Sequence, residues 1–114
     1  MSSRIRIFPA LIRKVLPKGT LAITFFPFIW VKNIHLLDDD TLIIHEKIHL
    51  RQQVEMGILL FYIWYGVEFF IKYIIYKNKY WAYKNISFER EAYVYEQDEN
   101  YLKSRKFWAF LRWL

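Results

Sequence analysis

Two of the three histidines in the chain lie in the run Ile44-His45-Glu46-Lys47-Ile48-His49, an HExxH sequence. On a helix, a step of about 100° per residue brings His45 and His49 to within about 40° of each other and one turn apart. Both imidazoles then reach one metal ion. By the same rotation Glu46 lies about 60° from His49, beside the ligands, where a carboxylate can take a proton from water that the metal has acidified. Five residues thus combine two ligands and a general base, the requirements of metal-assisted hydrolysis. A hydrolytic zinc site also needs a third protein ligand. The candidates are His35 and the two carboxylates of Ser87-Phe88-Glu89-Arg90-Glu91-Ala92-Tyr93. Glu89 shares a helical face with Tyr93, and Glu91 does not. A phenol one turn from Glu89 can donate to an oxyanion, which makes Tyr93 a second candidate catalytic group beside Glu46. Gln52 and Gln53 follow His49 by one turn and read as surface residues, with contact to a ligand or substrate as the other use. The chain has no cysteine, so any metal here is held by His, Asp or Glu. No phosphate-binding glycine loop or nucleophile elbow is present.

HExxH followed after 39 residues by Glu89-Arg90-Glu91-Ala92 resembles the gluzincin metallopeptidases, which carry HExxH on one helix and E-x-x-A-D on another. The style is that of the membrane-associated CAAX-prenyl endopeptidases, the related heat-shock membrane proteases and the minimal gluzincins of about this length. The combination of HExxH, Gln52-Gln53 and Phe88-Glu89-Arg90-Glu91-Ala92-Tyr93 is also similar to that of small uncharacterised bacterial proteins. The resemblance implies zinc as cofactor, His45, His49 and Glu89 as its ligands, and Glu46 as general base. It departs from the pattern at Tyr93, which stands where those families have an aspartate. The carboxylate that steadies a ligand histidine must then come from Glu96, Asp98 or elsewhere.

The elements that must hold these groups can be read from capping and periodicity. Asp38, Asp39 and Asp40 supply caps and negative charge for a helix over residues 41–55, in which Leu42, Ile44, Ile48 and Leu50 are apolar. A second, aromatic helix is expected over 57–76, a turn over 77–79, and a third long helix capped by Asn85 or Ser87 and running to about residue 103. Residues 107–114 read as a short packing helix. Before the site helices, residues 4–8 alternate charged and apolar side chains and read as a strand ended by Pro9. Residues 10–16 suit a brief helix, and Lys18-Gly19 a turn. Residues 20–32 carry the densest β-branched and aromatic run, with Pro27 placing that strand at a sheet edge or splitting it in two. At 114 residues the expectation is a single domain, α+β and mostly helical. A short amino-terminal strand or hairpin precedes three to four helices in a zincin-like arrangement. Residues 1–37 form a basic aromatic strand region, and residues 38–114 a helical metal-site region.

Composition narrows the partners. With 55% hydrophobic and 21% aromatic residues, the chain has more large apolar side chains than a small soluble domain easily hides. The net charge of +6 arises within residues 1–37, which hold six basic residues and no acid. That pairing of charge and aromatics suits an anionic membrane surface, and fits nucleic acid less well because no recognised module accompanies it. The apolar run over 56–67 is continued to residue 76 but broken by Glu68 and Lys72, which can pair at i,i+4. It reads as a buried or membrane-surface helix, with a span, in which that pair neutralises itself, as the alternative. The residues 21–31 make a poor signal peptide, so the expectation is a cytoplasmic protein with a possible membrane association. The favoured function is a zinc-dependent, peptidase-like metallohydrolase acting on a peptide or protein. The alternative is a non-catalytic membrane-surface or partner-binding protein with a structural His/Glu metal site.

Overall fold

The computed structural model describes residues 5–8 and 20–114. The brief helix expected over 10–16, the turn at Lys18-Gly19 and the strand end at Pro9 lie outside them, as do Arg4, Arg13, Lys14 and Lys18. Three strands, β1 (Ile5–Ile7), β2 (Ala22–Phe25) and β3 (Phe28–Val31), form a sheet in the order β1-β3-β2. β1 runs parallel to β3, and β2 antiparallel with Ile23 opposite Trp30 and Thr24 opposite Ile29. The dense run over 20–32 is therefore a hairpin. Pro27 sits with Phe26 in its two-residue turn, where its missing N–H costs no ladder bond. The central strand β3 buries Ile29 and Val31, at its alternate positions, against Ile43.

Ile43 belongs to α1 (Asp40–Met56), whose N-cap Asp39 accepts from the Leu42 N–H at 3.0 Å. Gly57 ends α1 with its N–H on the Gln53 carbonyl at 2.8 Å and φ of +84°, a conformation that glycine adopts at little steric cost. The chain then reverses into α2 (Ile58–Tyr76), which ends at Lys77 and leads through Asn78 into the short α3 (Lys79–Lys84). A second core gathers Met56, Phe61, Ile86, Phe88 and Phe110, the last from a 3-10 helix over Ala109–Trp113.

The long third helix expected to residue 103 is two pieces: α4 (Ser87–Tyr95) and α5 (Tyr101–Ser104). The Tyr95 and Tyr101 rings stack at 3.7 Å and 3°, so the intervening turn closes on an aromatic pair that a continuous helix would separate. Neither Asn85 nor Ser87 caps α4 with its own side chain. Ile86 is the N-cap residue, and the cap comes from Glu68 on α2, whose carboxylate accepts the Ser87 N–H at 2.8 Å and also its hydroxyl. Glu68 is thereby turned inward, with the Trp64 indole N–H at 2.8 Å from the oxygen that also takes the Ser87 hydroxyl, rather than paired with Lys72. α1 and α4 cross where Ile48 meets Ala92, both completely buried. A larger residue than alanine there would push the helices apart.

Candidate metal centre

That close crossing brings the two halves of the site together. His45 and His49 lie one turn apart on α1, and Glu89 lies one turn before Ala92 on α4, so all three side chains enter the same space. Glu89 Oε1 is 3.0 Å from His45 Nε2 and 3.1 Å from His49 Nε2, and the two Nε2 atoms are 3.2 Å apart. The three residues are each only 5% exposed. With zinc–nitrogen bonds of about 2.0–2.1 Å, the edge of a tetrahedral site is about 3.3 Å, so this triangle has the size of one face of such a site. His45, His49 and Glu89 can hold a metal ion.

The distal ring nitrogens point the same way. His45 Nδ1 is 2.8 Å from Glu96 Oε1, and His49 Nδ1 is 2.8 Å from Gln52 Oε1. Each partner oxygen is an acceptor, so each Nδ1 carries the proton and each Nε2 presents its lone pair to Glu89. Three electron-pair donors converging at this distance repel unless a cation or a proton lies among them. For His49, burial opposes the charged ring, but the Glu89 carboxylate outweighs it and raises the imidazole from 6.5 to about 9. Burial would likewise raise the Glu89 carboxyl, yet the charge on His49 and its hydrogen bond to Glu89 hold it far below the usual carboxylate range. The protein thus keeps a proton where a metal would place a larger charge.

Around the triangle, Tyr65 donates to Glu89 Oε2 at 2.7 Å. Thr24 on β2 donates to Glu46 Oε1 at 2.7 Å, and its carbonyl accepts from Gln53 Nε2 at 2.8 Å and from the Tyr62 hydroxyl. Tyr93 packs edge-on to the His45 ring at 4.5 Å, and its hydroxyl is 2.7 Å from that of Tyr83. One bond between two hydroxyls leaves one hydrogen to donate elsewhere. Burial raises both phenols above their ordinary value, with the Glu89 charge adding to the effect, so both stay protonated. A cavity of about 980 Å³ opens onto the site, lined on one side by residues 20–24 and on the other by tyrosines that include Tyr62, Tyr83 and Tyr93.

The sequence candidates separate clearly in space. His45, Glu46, His49, Glu89 and Tyr93 all line this cavity. His35 lies exposed in a 3-10 turn over Ile34–Asp38, apart from the cluster. Glu91 faces away, where it accepts from Arg105 Nη2 at 3.1 Å, Tyr101 at 2.6 Å and Gln52 Nε2 at 2.9 Å. The surface role expected of Gln52 and Gln53 is overturned, since their exposures are 0% and 1%. Gln52 ties His49 to Glu91, and Gln53 ties α1 to β2. Glu96 supplies the steadying carboxylate that Tyr93 cannot. Thr24 and Tyr65 carried no sequence signal of their own, because only the hairpin and the α1–α2 reversal bring them to the site. Comparisons with protein-family models, with curated proteins and with solved structures each returned no match.

Proposed function

We propose that the protein is a zinc-dependent metallohydrolase, peptidase-like in its chemistry and gluzincin-like in its ligand set. The observation that carries this reading is the convergence of two histidine Nε2 atoms and a carboxylate oxygen beside Glu46 at the wall of a large cavity. A zinc ion would supply Lewis acidity, which makes water a nucleophile near neutral pH and polarises a carbonyl. Glu46 acts as general base. The Thr24 hydroxyl fixes one of its oxygens and leaves the other to accept the proton. The spare hydroxyl hydrogen of the Tyr83–Tyr93 pair donates to the oxygen that gains charge as the carbonyl is attacked.

A peptide substrate would lie along β2, the sheet edge that lines the cavity. Lys32 N–H donates to the Leu21 carbonyl, so Leu21 faces β3, while the Thr24 carbonyl faces outward to Gln53. By alternation the backbone of Ala22 also faces outward and can pair with an extended chain. The deciding experiment is the zinc content of untagged protein, followed by hydrolysis of a peptide library. Wild type is expected to carry about one zinc per chain. His49→Ala should lose the metal, and Glu46→Gln should keep it while losing hydrolysis. A wild-type chain that neither contains nor takes up zinc overturns the proposal. Full zinc with no hydrolysis in any peptide pool would assign the site a structural role instead.

A further inference from the structure

The helix α2 divides along its length into two unlike halves. At about 100° per residue, the half packed on the rest of the domain carries Phe61, Tyr62, Tyr65, Glu68, Phe69 and Lys72. The outward half, from Leu59 to Ile75, bears no charged or amide side chain, and its one hydroxyl, on the 41% exposed Tyr73, lies in the last turn at the edge of the face. The Trp64 indole N–H is turned inward to Glu68. Leu59, Ile63, Val67, Phe70, Ile74 and Ile75 are each between 54% and 76% exposed. The helix has a mean hydropathy of 1.7 over its 18-residue window, of which only 11% is buried. An apolar face this long on a small domain marks a contact surface.

The chemistry of the face selects the occupant. A protein partner would bring about one hydrogen bond per 100–200 Å² of contact, and this half of α2 has no side chain to form one before Tyr73 in its last turn. Hydrocarbon asks for none. Just beyond the helix end, the exposed Lys77 and Lys79 stand in sequence beside the exposed Tyr80 and Trp81, a cationic and aromatic border suited to the headgroup layer. The inward half is committed to Glu68 and Glu89 through Ser87 and Tyr65, so the helix cannot be surrounded by lipid. We propose that α2 seats the protein on an anionic phospholipid bilayer, lying along the surface with its outward half among the acyl chains. This moves the main membrane contact from residues 1–37 to α2, and it stands independently of any chemistry at the metal centre.

The experiment is vesicle co-sedimentation with phosphatidylcholine alone and with added phosphatidylglycerol, at low and high salt. Wild type should bind the anionic vesicles best and keep a salt-resistant fraction. The double variant Ile63→Glu/Ile74→Glu changes two exposed positions and should retain the wild-type circular dichroism while losing on the order of tenfold or more of its vesicle binding. Because the chain lacks cysteine, a nitroxide can be placed at Ile71→Cys and, as a reference, at the exposed Glu99→Cys. In vesicles the first label should become accessible to oxygen and shielded from a water-soluble relaxant, and the second should stay accessible to the relaxant. No vesicle binding by wild type, or unchanged binding by the double variant, overturns the proposal. So does a wild-type dimer that the double variant abolishes in the absence of vesicle binding, which would assign the face to a second copy of the chain.

Discussion

Glu89 and Glu91 stand two residues apart on α4, are both buried, and meet different chemistry on their two sides of the helix. Glu91 faces Arg105, whose Nε and Nη2 reach its two oxygens while Nη1 holds Glu55 at 2.5 Å. A guanidinium is charged at every relevant pH, so that ion cluster has one state. Glu89 faces two imidazoles, groups that change charge near neutrality and exchange a proton for a metal. The difference teaches that burial alone does not mark a site. The partner's chemistry decides whether a buried carboxylate is a fixed strut or an exchangeable ligand. Gln52 touches both sides, with its carbonyl on His49 and its amide on Glu91, so the strut positions the ligand.

The comparison breaks most visibly at Arg105. Arg105→Ala leaves Glu91 and Glu55 without their cation in a buried place, and should cost about 3–5 kcal/mol in urea unfolding. A loss under about 1 kcal/mol would show that the cluster is solvated in solution. Next comes the exchange of roles. Glu89→Ala should lower zinc affinity by more than the 10–100-fold typical of an outer partner, and Glu91→Ala should lower it far less while destabilising the fold more. Equal effects in metal titrations of the two variants would erase the distinction.

Smaller effects sharpen it. Gln52→Ala and Glu96→Ala each leave a ligand histidine without its Nδ1 partner and should each weaken zinc about 10–100-fold, measured against a competing chelator. Wild-type affinity in either variant would mean that the tautomers are fixed in some other way. The last test is pH. His49 is raised from 6.5 to about 9, so in metal-free protein its contribution to stability is complete below pH 6.5 and is lost as pH rises to about 9. Glu89 is lowered, so its contribution is present above its ordinary value of 4.5 and is lost as pH falls further. Thermal melts with a chelator should therefore decline between pH 6.5 and 9, and zinc should flatten that decline by replacing the proton. A metal-free protein equally stable at both ends of that window would contradict the His49–Glu89 pairing.

The His45–His49 pair was legible because helical spacing is a local property, whereas the choice of Glu89 over Glu91 and His35 depended on how α1 and α4 cross. The hairpin was legible in part, since Pro27 announced an interruption that its pairing then defined. What escaped depends on contacts between distant elements. Gln is ordinarily a surface residue, and the burial of Gln52 and Gln53 follows from acceptors and donors on α4 and β2. The break after Tyr95 has no glycine or proline to signal it, being set by the Tyr95–Tyr101 stack and by Glu96 turning to His45. The cap of α4 escaped because its carboxylate comes from Glu68, 19 residues earlier on a helix that otherwise reads as apolar.

The Gln53 side chain has one more effect. Its amide accepts from the Phe26 N–H at 2.7 Å and donates to the Thr24 carbonyl at 2.8 Å, the pattern that one residue of a neighbouring strand would make. A single side chain therefore stands in for a fourth strand at this end of β2. Open sheet edges invite other chains to polymerise onto them, and a very short open edge offers too few ladder bonds to begin. By closing the hairpin end, Gln53 leaves only the short stretch near Ala22 open on this edge, too little to template a growing fibril.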